Sequence, residues 1–188
     1  MYAIAQRPAV PAPAPLDLLT ALAQANNFNL GTLAANRTGR LAPEQAALLR
    51  RRARRKLLFG LIVMGGALLF AAIVVSAEGV GSLGQIALFS GIIALAACQL
   101  IVAGARTLSD ARSGTVAVLE GVVTKSRGVD TDESGNSTIT YYYEVGRQKF
   151  RVSPAAYLAL PAGTICRLYH APGGKELLSI EPLAVNGE

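Results

Sequence analysis

The sequence predicts an α+β membrane protein with short N-terminal helices, a transmembrane helical hairpin and a small C-terminal β-barrel. Two apolar runs, 57–77 and 83–105, contain no Asp, Glu, Lys or Arg. Since an α-helix rises about 1.5 Å per residue, the shorter run gives roughly 31 Å of helix, enough to cross a hydrocarbon core of about 30 Å. After residue 114 the apolar positions follow the twofold period of β-strands.

The distribution of charge agrees with this division of the chain. The protein has 188 residues, of which 52% are hydrophobic, and a formal net charge of +6. Residues 37–56 contain eight basic groups against one acidic group, whereas residues 113–188 contain seven basic and eight acidic groups, a net charge of −1. The excess positive charge therefore lies next to the first apolar run. The C-terminal domain is not basic, which argues against nucleic-acid binding.

The two cysteines predict neither a disulfide nor a metal site. Cys98 falls in the second apolar run and Cys166 in the C-terminal domain, so one is expected in lipid and the other in water. The sequence has no C-x-x-C pattern and a single histidine, which leaves a zinc ion without its usual ligands. We expect no metal and no organic cofactor.

The N-terminal region divides into a tail and a helical arm. Residues 1–15 end in a Pro/Ala tract and predict an extended, disordered tail. Residues 16–56 form a cytoplasmic arm of short helices, in which Asn29 is a suitable cap for a helix over Leu30–Arg37. Pro43 suits the first turn of the next helix, which we expect to run into the first span, bent or continuous.

Six basic residues directly before the first span, here called the basic belt, predict the orientation of the hairpin. Basic residues that flank a span stay on the cytoplasmic side. Arg106 and Arg112 follow the second span, whereas the loop 78–82 has no basic residue. Both termini are therefore predicted to be cytoplasmic, at the plasma (inner) membrane. The belt either sets the topology alone or also binds anionic lipids. It consists of Arg50, Arg51, Arg52, Arg54, Arg55 and Lys56.

Small residues at helical spacing predict a packing face on each span. Steps of three, four or seven residues place such side chains on one side of a helix, where they let two backbones approach closely. Either the two spans pack on each other, or they dock onto further copies or a larger complex. The absence of charge within the spans argues against ion or proton transport. The faces comprise Gly60, Ala67 and Ala71 in the first span and Ala87, Gly91, Ala94 and Cys98 in the second.

Five strands and one short helix are predicted in the C-terminal domain, residues 115–185, after a linker at 106–114. The strands are expected at 115–127, 137–145, 147–153, 164–170 and 176–183. Ser153 and Pro154 indicate the cap and first turn of the helix, between the third and fourth strands. This element order is that of an OB-type barrel, and an SH3-like barrel is the alternative.

Several phrases of this domain resemble known proteins. The two-span hairpin followed by EGVVTKSRG, a YYYEV–FRVS hairpin and RLYHAPGGKELLSIEP is similar to uncharacterised bacterial membrane proteins with a small cytoplasmic β-barrel of unknown function. A more distant resemblance is to the NfeD-like membrane proteins, whose soluble OB barrel is linked to membrane proteases. The first resemblance covers residues 115–183 and implies a cytoplasmic barrel. Neither group supplies catalytic residues.

Three patterns in the domain are candidates for a site. The loop 130–135 matches the first half of an EF-hand calcium loop, but Tyr141 stands where the twelfth ligand, a Glu, is required, so a solvated loop is expected. His170 lies about 13 Å along the predicted strand from Cys166, too far for a catalytic pair, and no enzyme is predicted. The third pattern is a possible binding face on the barrel, formed by Tyr142, Arg147, Lys149, Arg151 and Arg167.

The sequence thus favours a non-catalytic accessory, assembly or scaffold subunit that presents a small β-barrel at the cytoplasmic membrane face. The alternative is a stand-alone, membrane-anchored regulatory module that recognises a peptide, a lipid or single-stranded nucleic acid. A protease regulator is what the NfeD resemblance implies. The expected partners are the bilayer, anionic lipids, and further copies or a larger membrane complex.

Overall fold

The computed structural model describes residues 15–78, 83–131, 135 and 137–183, with side chains for all of these except residues 15, 16, 77, 78 and 83–87. The predicted N-terminal tail, the loop between the spans and the centre of the calcium-like loop lie largely outside the described residues. The helices are α1 (Pro15–Ala25), α2 (Leu30–Arg37), α3 (Pro43–Glu78), α4 (Leu83–Ser113) and α5 (Pro154–Ala159). The strands are β1 (Ala117–Val122), β2 (Thr124–Thr131), β3 (Ser137–Val145), β4 (Gln148–Val152), β5 (Ile165–His170) and β6 (Leu177–Pro182).

The chain forms two compact units. The sheet unit comprises residues 1–29, 120–167 and 180–188, and the helical unit comprises residues 30–119 and 168–179. The helical unit therefore contains α2, α3 and α4 with the segment that connects β5 to β6. The sheet unit contains α1, α5 and the sheet formed by β2, β3 and β4.

Helices α3 and α4 are each long and apolar enough to cross a membrane. Only 11% of the most apolar 18-residue window of each helix is buried. A core helix of a soluble protein would be mostly buried, so these helices have the pattern of membrane spans. Two apolar helices of this kind are what the sequence predicts.

Helices α3 and α4 both extend beyond the apolar runs of the sequence. Helix α3 is continuous from Pro43 to Glu78, so the basic belt and the first apolar run form one helix. Helix α4 continues to Ser113 and includes most of the region predicted as a linker, 106–114. The chain leaves the helix only at Gly114, whose φ is +66°. The linker sequence contains no Pro and no earlier Gly, and therefore nothing that stops the helix before that point.

The two long helices approach closely at two glycines. A Cβ atom on Gly60 would lie 2.8 Å from Ile101 Cγ1, and one on Gly104 would lie 2.9 Å from Leu57 Cγ. A side chain at either position would require a shift of the contacting atoms on the opposite helix. Such small-residue packing is usual between helices in lipid.

The C-terminal region has six strands in two sheets, and a closed barrel is not found among the described residues. The sheet orders are β1–β5–β6 and β2–β3–β4, and the second sheet is antiparallel throughout. In its register Thr124 lies opposite Glu144 and Thr131 opposite Ser137, while Tyr143 lies opposite Phe150. The described strands form two three-stranded sheets, so the predicted five-stranded barrel is not confirmed.

The extra strand arises because the predicted first strand, 115–127, is interrupted at Val123. This residue is fully buried, its N–H donates to Thr164 O (2.9 Å) and its carbonyl accepts from Gly163 N (3.0 Å). These bonds hold the chain between β1 and β2, which then join different sheets. A twofold apolar period continues through such an interruption, so the sequence pattern does not reveal it.

The helix between β4 and β5 begins as predicted. Ser153 is its N-cap, and the Oγ atom accepts from Ala156 N at 3.1 Å, with Pro154 in the first turn. The same hydroxyl donates to Ala25 O at 2.9 Å, which joins α5 to the end of α1 within the sheet unit.

Candidate functional site

The helical unit holds the segment 171–179 against the ends of α3 and α4. Asp110, only 6% exposed, accepts hydrogen bonds from the backbone N–H groups of Gly173 (2.9 Å) and Gly174 (2.6 Å). A Cβ atom on Gly173 would lie 3.0 Å from Asp110 Oδ1, so the backbone approaches the carboxylate closely because no side chain intervenes. Bonds of this kind to a charged acceptor are stronger than neutral ones.

Two buried amide side chains donate hydrogen bonds to the end of the same segment. Asn36 of α2, with no exposed surface, donates from Nδ2 to Ser179 Oγ at 2.8 Å. Gln45 of α3 donates from Nε2 to Leu178 O at 3.0 Å. The same unit contains a small apolar core. It consists of Leu49, Ala111, Ala171 and Leu178, with Leu41 and Val116 packed against it.

One face of the basic belt forms ion pairs with the segment 171–179. Glu176 accepts from Arg52 Nη1 at 2.8 Å and from Lys56 Nζ at 3.0 Å, and 16% of its side chain is exposed. Because Arg52 and Lys56 are four residues apart, they lie on one side of α3. These ion pairs fix the segment 171–179 to the helix that carries the belt.

The other face of the belt lines an open cleft of about 360 Å³. Four guanidinium groups and two apolar residues form its walls. They are Ala47, Arg50, Arg51, Arg54, Arg55 and Leu58. The basic belt is thus divided between an inward, paired face and an outward, arginine-rich face.

A second cleft, of about 500 Å³, lies in the sheet unit between β2, β3 and α5. Lys125 Nζ lies 4.7 Å from the ring centroid of Tyr157, and that ring lies 4.8 Å from the ring of Tyr141 at an interplanar angle of 50°. Arg127 is opposite Tyr141 in the strand register and completes the basic side. The full lining is Lys125, Ser126, Arg127, Tyr141, Pro154, Tyr157 and Leu158.

The chemistry of this second cleft suits an anionic or aromatic group. The lysine ammonium group can bind a negatively charged group, and the neighbouring tyrosine rings can stack with an aromatic one. Desolvation lowers the pKa of Lys125. Leu158 stands at the rim with 80% of its surface exposed, which adds an apolar contact.

Two ionisable groups beside this sheet are core residues. Burial raises the pKa of the Cys166 thiol to about 12. Burial, with a smaller effect from Cys166, raises the pKa of Tyr143 well above its usual range, although a hydrogen bond with Asn26 opposes the shift. The Tyr143 hydroxyl donates to Ala156 O. Both groups are therefore uncharged at neutral pH.

The residues predicted as the packing face of the first span are more buried in the structure than those predicted for the second span. Gly60 and Ala67 are buried and Ala71 is half-buried. In the second span Ala94 is half-buried, but Gly91 and Cys98 are exposed, and the side chain of Ala87 lies outside the described ones. The α3–α4 contact instead uses Ala97 and Gly104. The predicted steps from Ala87 follow a stripe one position away from the contact.

The predicted barrel face is only partly assembled. Tyr142 lies opposite Arg151, and Glu144 opposite Lys149, in the β3–β4 register. Lys149 Nζ pairs with Glu144 Oε1 at 2.7 Å; this bond and one from Ser126 lower the pKa of Glu144. The predicted face therefore contains a carboxylate that neutralises one of its cations.

The two remaining arginines of that predicted face lie apart from its centre. Arg147 is exposed in the turn after β3. Arg167 belongs to the other sheet, on β5, and pairs with Glu120 of β1.

The sequence reasoning missed the opposite side of the β2–β3–β4 sheet. Lys125 and Arg127 alternate with Ser126 along β2, so the two cations share the face that carries Tyr141. That alternation was the available signal. The contribution of Tyr157 depends on how α5 packs on the sheet, which strand periodicity does not show.

Comparison of the chain with protein families, with curated protein sequences and with solved structures gave no match in any of the three.

Proposed function

We propose that the chain is a non-catalytic, membrane-anchored module that presents a small β-sheet domain at the cytoplasmic face of the plasma membrane, as an accessory, assembly or scaffold subunit. The supporting observation is the sharp change along the single helix α3. Its residues 50–56 are almost all basic, and its residues 57–77 contain no charge. Such a boundary is expected where a helix passes from water through the headgroups into hydrocarbon.

The accessory role is supported by the surface of α4 that α3 does not cover. Gly91 is exposed, and a Cβ atom added to it would have open space around it, with no neighbouring atom within 4 Å beyond its own stretch of helix backbone. Cys98 is exposed about two turns further along the same side. Small residues on an uncovered helix face permit close contact with another transmembrane helix. The occupant we propose is a helix of a larger membrane complex, with self-association as the other outcome.

Chemical cross-linking in native membranes, followed by purification of the tagged full chain in mild detergent, tests this role. We expect a cross-linked partner, and we expect Gly91→Leu to abolish its capture because the new side chain blocks close approach. Gly65→Leu is the matched control, since Gly65 is an uncovered glycine on α3. Recovery of a lone monomer, or equal capture by both variants, would contradict the accessory role.

A second candidate function, ligand recognition by the sheet unit, is favoured by the Lys125–Tyr157–Tyr141 cleft. An acidic peptide with an aromatic residue matches its cations and rings. Fluorescence polarisation with acidic, neutral and basic labelled peptides on the detergent-solubilised full chain measures this. Lys125→Ala should weaken acidic-peptide binding about tenfold, whereas Lys149→Ala, on the opposite sheet face, should not. Equal loss with both variants, or no binding by any peptide, would reject the cleft as a site.

A further inference from the structure

The basic belt contains more positive charge than the protein itself neutralises. Arg52 and Lys56 pair with Glu176, but Arg51, Arg54 and Arg55 make no ion pair and no side-chain hydrogen bond with the described residues. Within the described part of the chain, Arg50 makes only a long hydrogen bond, 3.5 Å, to Ala111 O.

These unneutralised cations are close together on one side of α3. Residues 50, 51, 54 and 55 occupy adjacent positions within two turns of the helix, and all four line the 360 Å³ cleft. Like charges at such spacing destabilise a helix, so an anion that binds between them stabilises the helix. Guanidinium groups bind phosphate oxygens through paired hydrogen bonds, which makes a phosphate the best-matched anion.

The apolar residues beside the cleft indicate which class of phosphate compound fits. Leu58 closes the cleft on the side of the apolar run and is 60% exposed. Leu61 and Ile62, one turn further, are 59% and 70% exposed. A ligand that fills the cleft and continues along this surface must therefore join a phosphate to apolar chains.

We propose that this outward face of the belt is a binding site for the headgroup phosphate of an anionic glycerophospholipid, whose acyl chains lie along the exposed apolar surface of α3. The site deepens the proposed function, since it rests on α3 being a membrane span. It also gives the two faces of the belt different tasks: the inward pair fixes the segment 171–179, and the outward arginines hold lipid.

Two double variants that remove the same charge separate these tasks. Arg51→Gln/Arg54→Gln acts on the outward face, and Arg52→Gln/Lys56→Gln acts on the inward face. Native mass spectrometry of the full chain in a non-ionic detergent, titrated with phosphatidylglycerol or with phosphatidylcholine of the same acyl chains, gives the dissociation constant of each lipid. Inorganic phosphate in excess serves as the competitor that tests for a free-phosphate site.

The wild-type chain should prefer phosphatidylglycerol, and the outward variant should lose about 30-fold in affinity for it, about fivefold per basic residue. The inward variant should keep its lipid preference and lose protection of the segment 171–179 from hydrogen exchange. Equal losses of lipid affinity in both variants would mean that net charge alone attracts the lipid, and would overturn the proposal. Displacement by inorganic phosphate, or no preference in the wild type, would also overturn it.

Alkaline carbonate extraction of native membranes keeps this outcome separate from the proposed function. A chain that stays in the membrane pellet but shows no lipid preference refutes the lipid site alone. A chain released by carbonate refutes the membrane span and with it both proposals.

Discussion

Replacement of Asp110 by Ala should release the segment 171–179 from the end of α4. The carboxylate accepts two backbone hydrogen bonds, at 2.9 and 2.6 Å, and is 6% exposed. A hydrogen bond to a charged group contributes about 1.5–3 kcal/mol. Because Gly173 is exposed, water can replace part of what is lost. We therefore expect the local opening free energy to fall by about 3 kcal/mol, which corresponds to roughly 100-fold faster amide exchange.

Hydrogen–deuterium exchange of the full chain in detergent, followed by mass spectrometry, measures this change in peptides that cover residues 168–180. Asp110→Asn should show a smaller effect, because the amide keeps one acceptor oxygen. Ser109→Ala is the control, since its side chain is exposed on the neighbouring helix position. If exchange in 171–179 is unchanged in Asp110→Ala, the carboxylate does not hold the segment.

Three further changes test the packing of each unit. Gly60→Val should lower the free energy of unfolding in detergent by about 1–3 kcal/mol, because the new side chain overpacks against Ile101. Gly65→Val, where the glycine has open space around it, should not, and equal effects of both variants would contradict the helix contact. Ser153→Ala should destabilise the sheet unit by about 1 kcal/mol in denaturant unfolding by removing the α5 cap, and an unchanged midpoint would show that the cap is unimportant. In a Cys98→Ser chain, Cys166 should resist iodoacetamide at neutral pH until the protein unfolds, and rapid alkylation of the folded chain would refute its burial. Because burial raises the pKa of the Cys166 thiol from 9.0 to about 12, its contribution to stability should be complete below pH 9 and lost as the pH rises towards 12.

Local patterns in the sequence predicted the helices well. Leu30–Arg37 was bounded by an Asn and a Gly, and α5 by a Ser-Pro pair, because caps and helix breakers act within a few residues. The two long apolar helices were predicted because a membrane helix needs an uninterrupted apolar run, which the sequence shows directly.

Features that depend on distant residues were not predictable in this way. Asp110 bonds residues more than 60 positions later, and Asn36 bonds Ser179, 143 positions away. Nothing in the local pattern around either residue indicates these partners. The interruption at Val123 has the same origin, since it is fixed by Thr164 and not by its neighbours.

The partition of the basic belt also required tertiary structure. The sequence shows six cations within seven residues, but only the position of Glu176 against α3 reveals which of them are neutralised. Likewise, the face of the sheet on which Lys125 approaches Tyr157 follows from the packing of α5. Three residues of the predicted binding face, Tyr142, Lys149 and Arg151, lie on the opposite face of this sheet.

The central proposal is that α3 and α4 cross the membrane as a hairpin with both of its ends on the cytoplasmic side. Its most direct test is cysteine labelling in intact cells with a membrane-impermeant maleimide, in a Cys98→Ser/Cys166→Ala background with one added cysteine. We expect Ser82→Cys, between the two spans, to be labelled from outside, and Ser113→Cys, at the end of α4, to be labelled only after permeabilisation. Labelling of both positions from the same side, or of Ser113→Cys alone in intact cells, would contradict the claim.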